Sequence, residues 1–275
     1  MSANESQLSG FRLLMLFLLL LVVFVAVRWD KDQWVEQKLS TLVEQQQLPL
    51  SWGRLHVSGM QLEFSDVQWK DARLSVPVEL DSLRLSPAWK RLVQADAAAH
   101  VEAQWQGNPL SVDVFQHDTY TQLSDLYATL NIESIRPFLP VTAELQGQVV
   151  ARGHVQLDAF SMPVDGSLTL TLPQAMIATM GVKLALAAAE LTLQHDQDER
   201  WTWTLHVGGD IQAEGSGTVM ISTAQPESWQ LAGDLSVATT ATTPPLLSTM
   251  ISSAGPNGFK LRLSGALGQI RTQQM

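Results

Sequence analysis

Apolar and polar positions fall into two regimes along this chain. Through residues 13–27 nothing polar interrupts LLMLFLLLLVVFVAV, and Arg12 and Arg28 close the run. Its fifteen residues rise about 22 Å as a helix, against roughly 30 Å of hydrocarbon. Adding Phe11 and Trp29 lengthens the span, because arginines at both ends can lay their stems in lipid and keep their charge in water. The pattern predicts a membrane anchor over 13–29, with Leu13, Leu16, Leu20, Phe24 and Val27 among its lipid-facing residues. A cleaved secretory signal is the alternative, but VFVAVRWD offers only Ala26 as a small residue near a cleavage point. A buried helix of a soluble domain is the third reading. Charge decides little about orientation, since both flanks carry few Lys and Arg. A short tail before the anchor and a long domain after it favour an exported domain, with residues 1–12 as a cytoplasmic tail.

Past the anchor the period is first helical. Val35, Leu39, Leu42 and Val43 fall on one helical face before Pro49 stops the pattern, which predicts a juxtamembrane helix over 30–48. From Leu50 onward the period is two. SWGRLHVSGMQLEFSDVQW, VPVELDSLRLS, AAAHVEAQWQG and LSVDVF alternate in turn, with Gly107-Asn108-Pro109 as a turn. Ser86-Pro87-Ala88 reads as a helix start for AWKRLVQ, with Ser86 as N-cap. Residues 118–140 have another texture, with helical hints at 123–127 and 134–138. They form a candidate boundary between halves at 49–117 and 141–275, or a crossover within one sheet. Alternation resumes in AELQGQVVARGHVQLD and GSLTLTLPQAMIA, then in VKLALAAAELTLQHD and WTWTLHVGGDIQAEGSGTVMIS, and last in SWQLAGDLSVAT. Thr243-Pro244-Pro245 predicts a short helix capped by Thr243. FKLRLSGAL predicts a last strand, followed by a polar tail. Strands at this spacing mean antiparallel sheet with one apolar face.

Within that sheet Leu168, Leu170 and Leu172 share one face, as do Leu184, Leu186 and Ala188. Leu191 and Leu193 continue the second set one position out of phase, which implies a bulge or break between Ala188 and Leu191. These leucines are either sealed core or the lining of an open trough, and a trough of that size would imply a ligand or a partner.

Composition narrows the chemistry. The 275 residues carry a net charge of −10 and no cysteine. Disulfides, thiolate metal sites and cysteine nucleophiles are excluded. The acidic balance argues against nucleic acid. None of the six histidines pairs with a second ligand at metal-binding helix spacing. The run Asp196-Gln197-Asp198-Glu199 lacks the glycine and distal glutamate of a calcium loop and reads as a charged turn. Gly208-Gly209 and Gly215-Ser216-Gly217 lie between strands and do not open a helix, so they are turns or bulges and not a phosphate cradle. No Gly-x-Ser-x-Gly elbow is present. The expectation is a non-enzymatic protein without cofactor or metal.

Several segments carry a family resemblance. They are Leu-x-Val-Ser-Gly at 55–59, Phe-Ser-Asp-Val at 64–67, Leu-Ser-Pro at 85–87 and Leu-Pro at 139–140. Gly-Asp-Leu-Ser-Val at 233–237, Pro244-Pro245, the Gly-Pro-Asn-Gly turn at 255–258 and Leu-x-Leu-Ser-Gly-x-Leu at 261–267 complete the set. Together with the N-terminal anchor, the chain resembles the N component of the bacterial type II secretion machinery (general secretion pathway). It is similar in texture to the wider AsmA-like group of envelope proteins. The resemblance implies a single-pass inner-membrane protein with a periplasmic domain at 49–275. It implies an extended, curved antiparallel β-sheet with an AsmA-like apolar groove and a few short helices. Leu168, Leu170, Leu172, Leu184 and Leu186 are the candidate groove lining. The implied role is accessory to export of folded proteins across the outer membrane, with other secretion subunits and the membrane as partners. The alternative is an envelope protein whose groove binds or transfers phospholipid.

Overall fold

The computed structural model describes residues 31–45, 49–70, 77–88, 97–136, 144–159, 161–179, 182–222, 228–254 and 258–275. The anchor predicted over 13–29, with Leu13, Leu16, Leu20, Phe24 and Val27, lies outside them, as does the helix expected after Ala88. Among the described residues no helix is long and apolar enough to cross a membrane.

Helix α1 (Lys31–Gln45) comes first and is followed by a run of hairpins: β1 (Leu50–Ser51), β2 (Arg54–Ser58), β3 (Gln61–Trp69), β4 (Val78–Pro87), β5 (Ala97–Trp105), β6 (Asn108–Gln116) and β7 (Tyr120–Asn131). The one-turn helix α2 (Ile132–Ile135) leads into the long strands β8 (Glu144–Asp158), β9 (Pro163–Thr179) and β10 (Val182–Gln197). β11 (Arg200–Gly209), β12 (Ile211–Met220), β13 (Gln230–Thr239), helix α3 (Pro245–Ala254), β14 (Phe259–Ala266) and β15 (Arg271–Gln274) complete the order. The protein is mainly β. Its strands form one large antiparallel sheet in which each strand from β3 to β15 pairs with its neighbours in sequence, and β1 and β2 both pair with β3.

Register sorts side chains into rows that cross the whole sheet. One row links Phe64, Leu83, Ala103, Leu110, Ala128 and Ala151 through successive partners, and continues through Leu170, Leu191 and Leu205. The row beside it runs Glu63, Arg84, Glu102, Ser111, Tyr127 and Arg152, then Thr169, Thr192 and Thr204. Adjacent strand residues point to opposite faces. One face is therefore apolar across the sheet, and the other presents threonine, serine and charge. On the polar face Arg84 bridges Glu63 at 3.3 Å and Glu102 at 3.5 Å, and Arg262 meets Asp234 at 3.3 Å.

The apolar face carries three clusters. Leu55, Phe64 and Val67 form the first, with Val35 and Leu39 of α1 packed over it. Asp32 fixes that helix to the sheet: its Oδ1 accepts the Val57 N–H at 2.9 Å, and its Oδ2 lies 3.0 Å from His56 Nδ1. Ile132 of α2 closes the central cluster over Val149, Ala175 and Leu186. Trp201, Trp203, Val219 and Ile221 make the third.

The structure departs from the sequence expectations at five places. Gly215-Ser216-Gly217, read as a turn or bulge between strands, lies inside β12 in unbroken register with β11 and β13. Residues 123–127, read as helical, lie in β7. A bulge there, with Asp125 at φ 51° and a register shift between Leu123 and Leu126, inserts one residue. The extra residue sets the inward Leu123 and Leu126 three apart, and with Leu130 four further on, past inward Ala128, they imitate a helical stripe. Because β7 pairs with both β6 and β8, the sheet passes through 120–131 without a break. Ser86 and Pro87 belong to β4, paired with His100 and Ala99, and do not start a helix; proline is tolerated there as the final residue of the strand. Thr243 precedes α3 but does not cap it: its hydroxyl oxygen accepts the Thr240 N–H at 2.7 Å, and its proton goes to the Asp210 carbonyl. The polar tail after residue 270 is a strand, β15, paired with β14.

Candidate functional site

Seven consecutive strands converge on one cavity of ≈ 420 Å³. Val155 comes from β8, Pro163 and Leu168 from β9, Leu191 and Leu193 from β10, and Trp201 and Trp203 from β11. Val219 comes from β12, Leu231 from β13 and Leu263 from β14, while Ile221, Trp229 and Leu267 close the sides. No lining residue is charged, and the two indole N–H groups of β11 and that of Trp229 are the only side-chain hydrogen-bonding groups among them.

Register explains how these residues meet. Leu168 pairs with Leu193, Leu193 with Trp203, Trp203 with Gly217, Gly217 with Gly233, and Gly233 with Leu263. The Trp203 ring occupies the space left by glycines. A Cβ on Gly215 would come 3.0 Å from its Cζ3, one on Gly217 2.8 Å from its Nε1, and one on Gly233 2.4 Å from its Cζ2. The indole thus lies against bare backbone, and its Nε1–H donates to the Ala232 carbonyl at 3.3 Å. Trp201, two residues earlier on the same face, is only 4% exposed, and its Nε1–H has no acceptor. His195, its direct cross-strand partner, meets the ring edge-on at 5.5 Å between centroids, and His195 Nδ1 lies 3.4 Å from Asp165 Oδ1.

The sequence-derived candidates divide between this cavity and the central cluster. Leu168 is on the cavity wall, with Leu191 and Leu193. Leu170 and Leu172 pack against the central cluster, Leu186 is buried within it beneath Ile132, and Leu184 is buried nearby on the same strand. Ala188 stands at a bulge with φ 53°, exposed, and Ala189 takes the inward position. Trp201, Trp203, Trp229, Leu231 and Leu263 were not singled out in the sequence. The alternation WTWTLHV holds the signal for the first two, and only strand order brings the others to them.

The titratable groups with shifted equilibria lie elsewhere. His100 on the polar face sits 2.5 Å from Asp113 and 3.5 Å from Glu102, and its pKa is raised, chiefly by the hydrogen bond to Asp113. Asp32 is held below the usual carboxylate range, first by the Val57 N–H and then by His56. Among the described residues no three His, Cys, Asp or Glu side chains are grouped to hold a metal ion.

Compared with family models, curated proteins and solved structures, the chain has no match.

Proposed function

We propose that this chain is a non-enzymatic protein of the bacterial inner membrane, tethered through residues 13–29, whose periplasmic sheet holds an acyl chain against its apolar face. The observation that carries this reading is the carbon-lined cavity reached by seven strands. Laid flat, seven strands span about 29 Å at about 4.8 Å per interval. All of them reach one cavity of ≈ 420 Å³, which supports a sheet curled round it with the apolar face inside. A dry apolar cavity of about 150 Å³ takes a benzene ring. By the same packing this one holds about 17 carbon atoms, the size of a single fatty acyl chain. Binding or transfer of phospholipid is the activity that such a surface serves, and a membrane anchor ending two residues before α1 keeps it beside its source. The test is mass spectrometry of lipid retained by the full chain after gentle detergent extraction. One acyl-bearing lipid per chain is expected, and retention no higher than for an unrelated single-pass protein would end the reading.

A second reading, accessory component of type II secretion, rests on the turn-and-strand motifs from residue 55 to 267 and on one structural observation. Among the described residues the sheet is open at both edges, ending in β15 at one side and in β1 and β2 at the other. Unpaired strand edges are places where another chain can add. This reading expects secretion subunits to co-purify with the tagged full chain and export to fall in a deletion strain. Normal export in that strain would remove it.

A further inference from the structure

Helix α1 has two unlike sides. Val35 and Leu39 pack on the sheet's first cluster, and Asp32 accepts the Val57 N–H. The outward side carries Lys31, Trp34, Lys38, Thr41, Leu42 and Gln45, all exposed. At 3.6 residues per turn they fall within about 100° of the circumference. Trp34 is 55% exposed and Leu42 50%, so two large apolar side chains stand in the open on this strip. Both lysines of the helix lie on it, and its acidic residues, Asp32, Glu36 and Glu44, lie off it. That segregation runs against the chain as a whole, whose net charge is −10. We propose that this side of α1 lies on the bilayer surface, with Trp34 and Leu42 entering the headgroup boundary and Lys31 and Lys38 meeting anionic phospholipid. The proposal rests on the tether reading above and adds to it the surface that the sheet presents to the membrane.

Two observations select the bilayer. The first is where the chain leads. The anchor ends at Trp29, and the two residues from there to Lys31 reach at most about 7 Å, so the first turn of α1 stays beside the headgroups. The second is the chemistry of the strip. Lysines beside Trp and Leu on one helical side are the composition of a helix that lies in the interface. Tryptophan prefers the headgroup level, and each lysine gains near an anionic surface. The remainder of the chain is acidic and is repelled by that surface, so attraction is confined to this strip. A second copy of the chain fits worse, since a two-fold contact of the strip with itself would gather lysines with no carboxylate between them. Orientation follows from the two sides of the helix. Bilayer, α1 and the cluster of Leu55, Phe64 and Val67 are stacked in that order, and the apolar face at β2 and β3 is turned towards the lipid.

The experiment places single cysteines for spin labels, which a chain without cysteine allows. The full-length variants Trp34→Cys, Leu42→Cys, Gln37→Cys and Glu44→Cys are labelled in nanodiscs of phosphatidylcholine and phosphatidylglycerol in equal parts. Leu20→Cys, inside the anchor, is the reference for lipid. Relaxation by oxygen reports lipid, and relaxation by a nickel chelate reports water. Oxygen should dominate for Trp34→Cys and Leu42→Cys, and the chelate for Gln37→Cys and Glu44→Cys. Chelate access that climbs steadily along the helix, whatever the side, means an upright helix and overturns the proposal. Chelate dominance in all four, with Leu20→Cys still in lipid, overturns it and leaves the tether standing. Dipolar broadening of the Leu42→Cys label at two chains per disc, absent at one, gives the strip to a second copy and overturns it too. Chelate access for Leu20→Cys overturns tether and proposal together. Charge is tested by adding Lys31→Gln and Lys38→Gln to Leu42→Cys. The ratio of immersed to exposed label should fall roughly fivefold per lysine, the equivalent of about 1 kcal/mol each, and stay unchanged in discs of phosphatidylcholine alone. An equal fall in both discs, or none in either, overturns the contact with anionic lipid and the proposal with it.

Discussion

Trp203 and the glycines beneath it are a single packing unit. Its ring is accommodated because Gly215, Gly217 and Gly233 leave their side of the sheet bare. A methyl on Gly233 would sit 2.4 Å from the ring and 2.5 Å from the Ser216 carbonyl, so both ring and backbone must shift. Gly233→Ala is expected to destabilise by about 1–3 kcal/mol, the usual range for overpacking, read as a lower urea midpoint. On the opposite face His100 gives a pH effect whose sign is fixed. Its folded pKa is raised above the unfolded value near 6.5, chiefly by the hydrogen bond to Asp113. The stabilisation is therefore complete below about pH 6.5 and is lost as pH rises through the higher folded pKa. The side chain is 39% exposed and partly screened, so the effect is below about 1 kcal/mol. His100→Gln should flatten the difference in melting temperature between pH 5.5 and pH 8.

At the scale of elements, β9 and β10 share one irregularity. Pro173 stands across from Ala188, between the pairs Leu172–Ala189 and Gln174–Ala187. Proline has no N–H to give the ladder, and Ala188 turns to φ 53° at the same level, so the two defects coincide and spare the neighbouring hydrogen bonds. That conformation is costly for any side chain and worst for a β-branched one. Ala188→Val is expected to cost about 1–2 kcal/mol. Ala188→Gly should gain roughly 0.5 kcal/mol after the added freedom of the unfolded chain is subtracted; paired urea titrations should show shifts of opposite sign. The bulge itself was legible, because the leucines at 184, 186, 191 and 193 change phase across it. The bulge in β7 was not, because a single extra residue there leaves leucines at helical spacing with no proline or glycine to mark it. Strand β15 was invisible for another reason: Arg271, Thr272, Gln273 and Gln274 are all exposed, so no face alternates. Helix α1 was legible from its stripe, but its tie to the sheet through Asp32 was not, since Val57 lies 25 residues away. Asp32→Ala should raise amide exchange through Lys31–Gln45 while leaving the strands beyond β5 unchanged, measured by exchange mass spectrometry of the full chain.

At the scale of the whole molecule, the sheet is a ladder of chain neighbours that, among the described residues, does not close on itself. Each strand from β4 to β14 is held by the strand before and the strand after, and the apolar face is divided into three clusters. The sequence made the apolar face legible, since period-two alternation assigns each side chain to a side. It could not assign Trp229 or Leu263 to the cavity of Leu168, because their meeting depends on the order of the strands between them. That same architecture makes stability local. Where elements contact mainly their neighbours in the chain, stability is close to a sum over neighbouring units, and parts can open without the whole. Removing the large ring at the third cluster, with Trp203→Ala, costs about 3–5 kcal/mol there. In a single cooperative domain the loss would appear in every protected amide. Here it should appear in β10 to β14, while β2 to β4, whose cluster α1 packs on, keep their wild-type exchange rates. A uniform loss of protection from β2 to β15 would show instead that the clusters are coupled, and that the sheet unfolds as one body despite its sequential pairing.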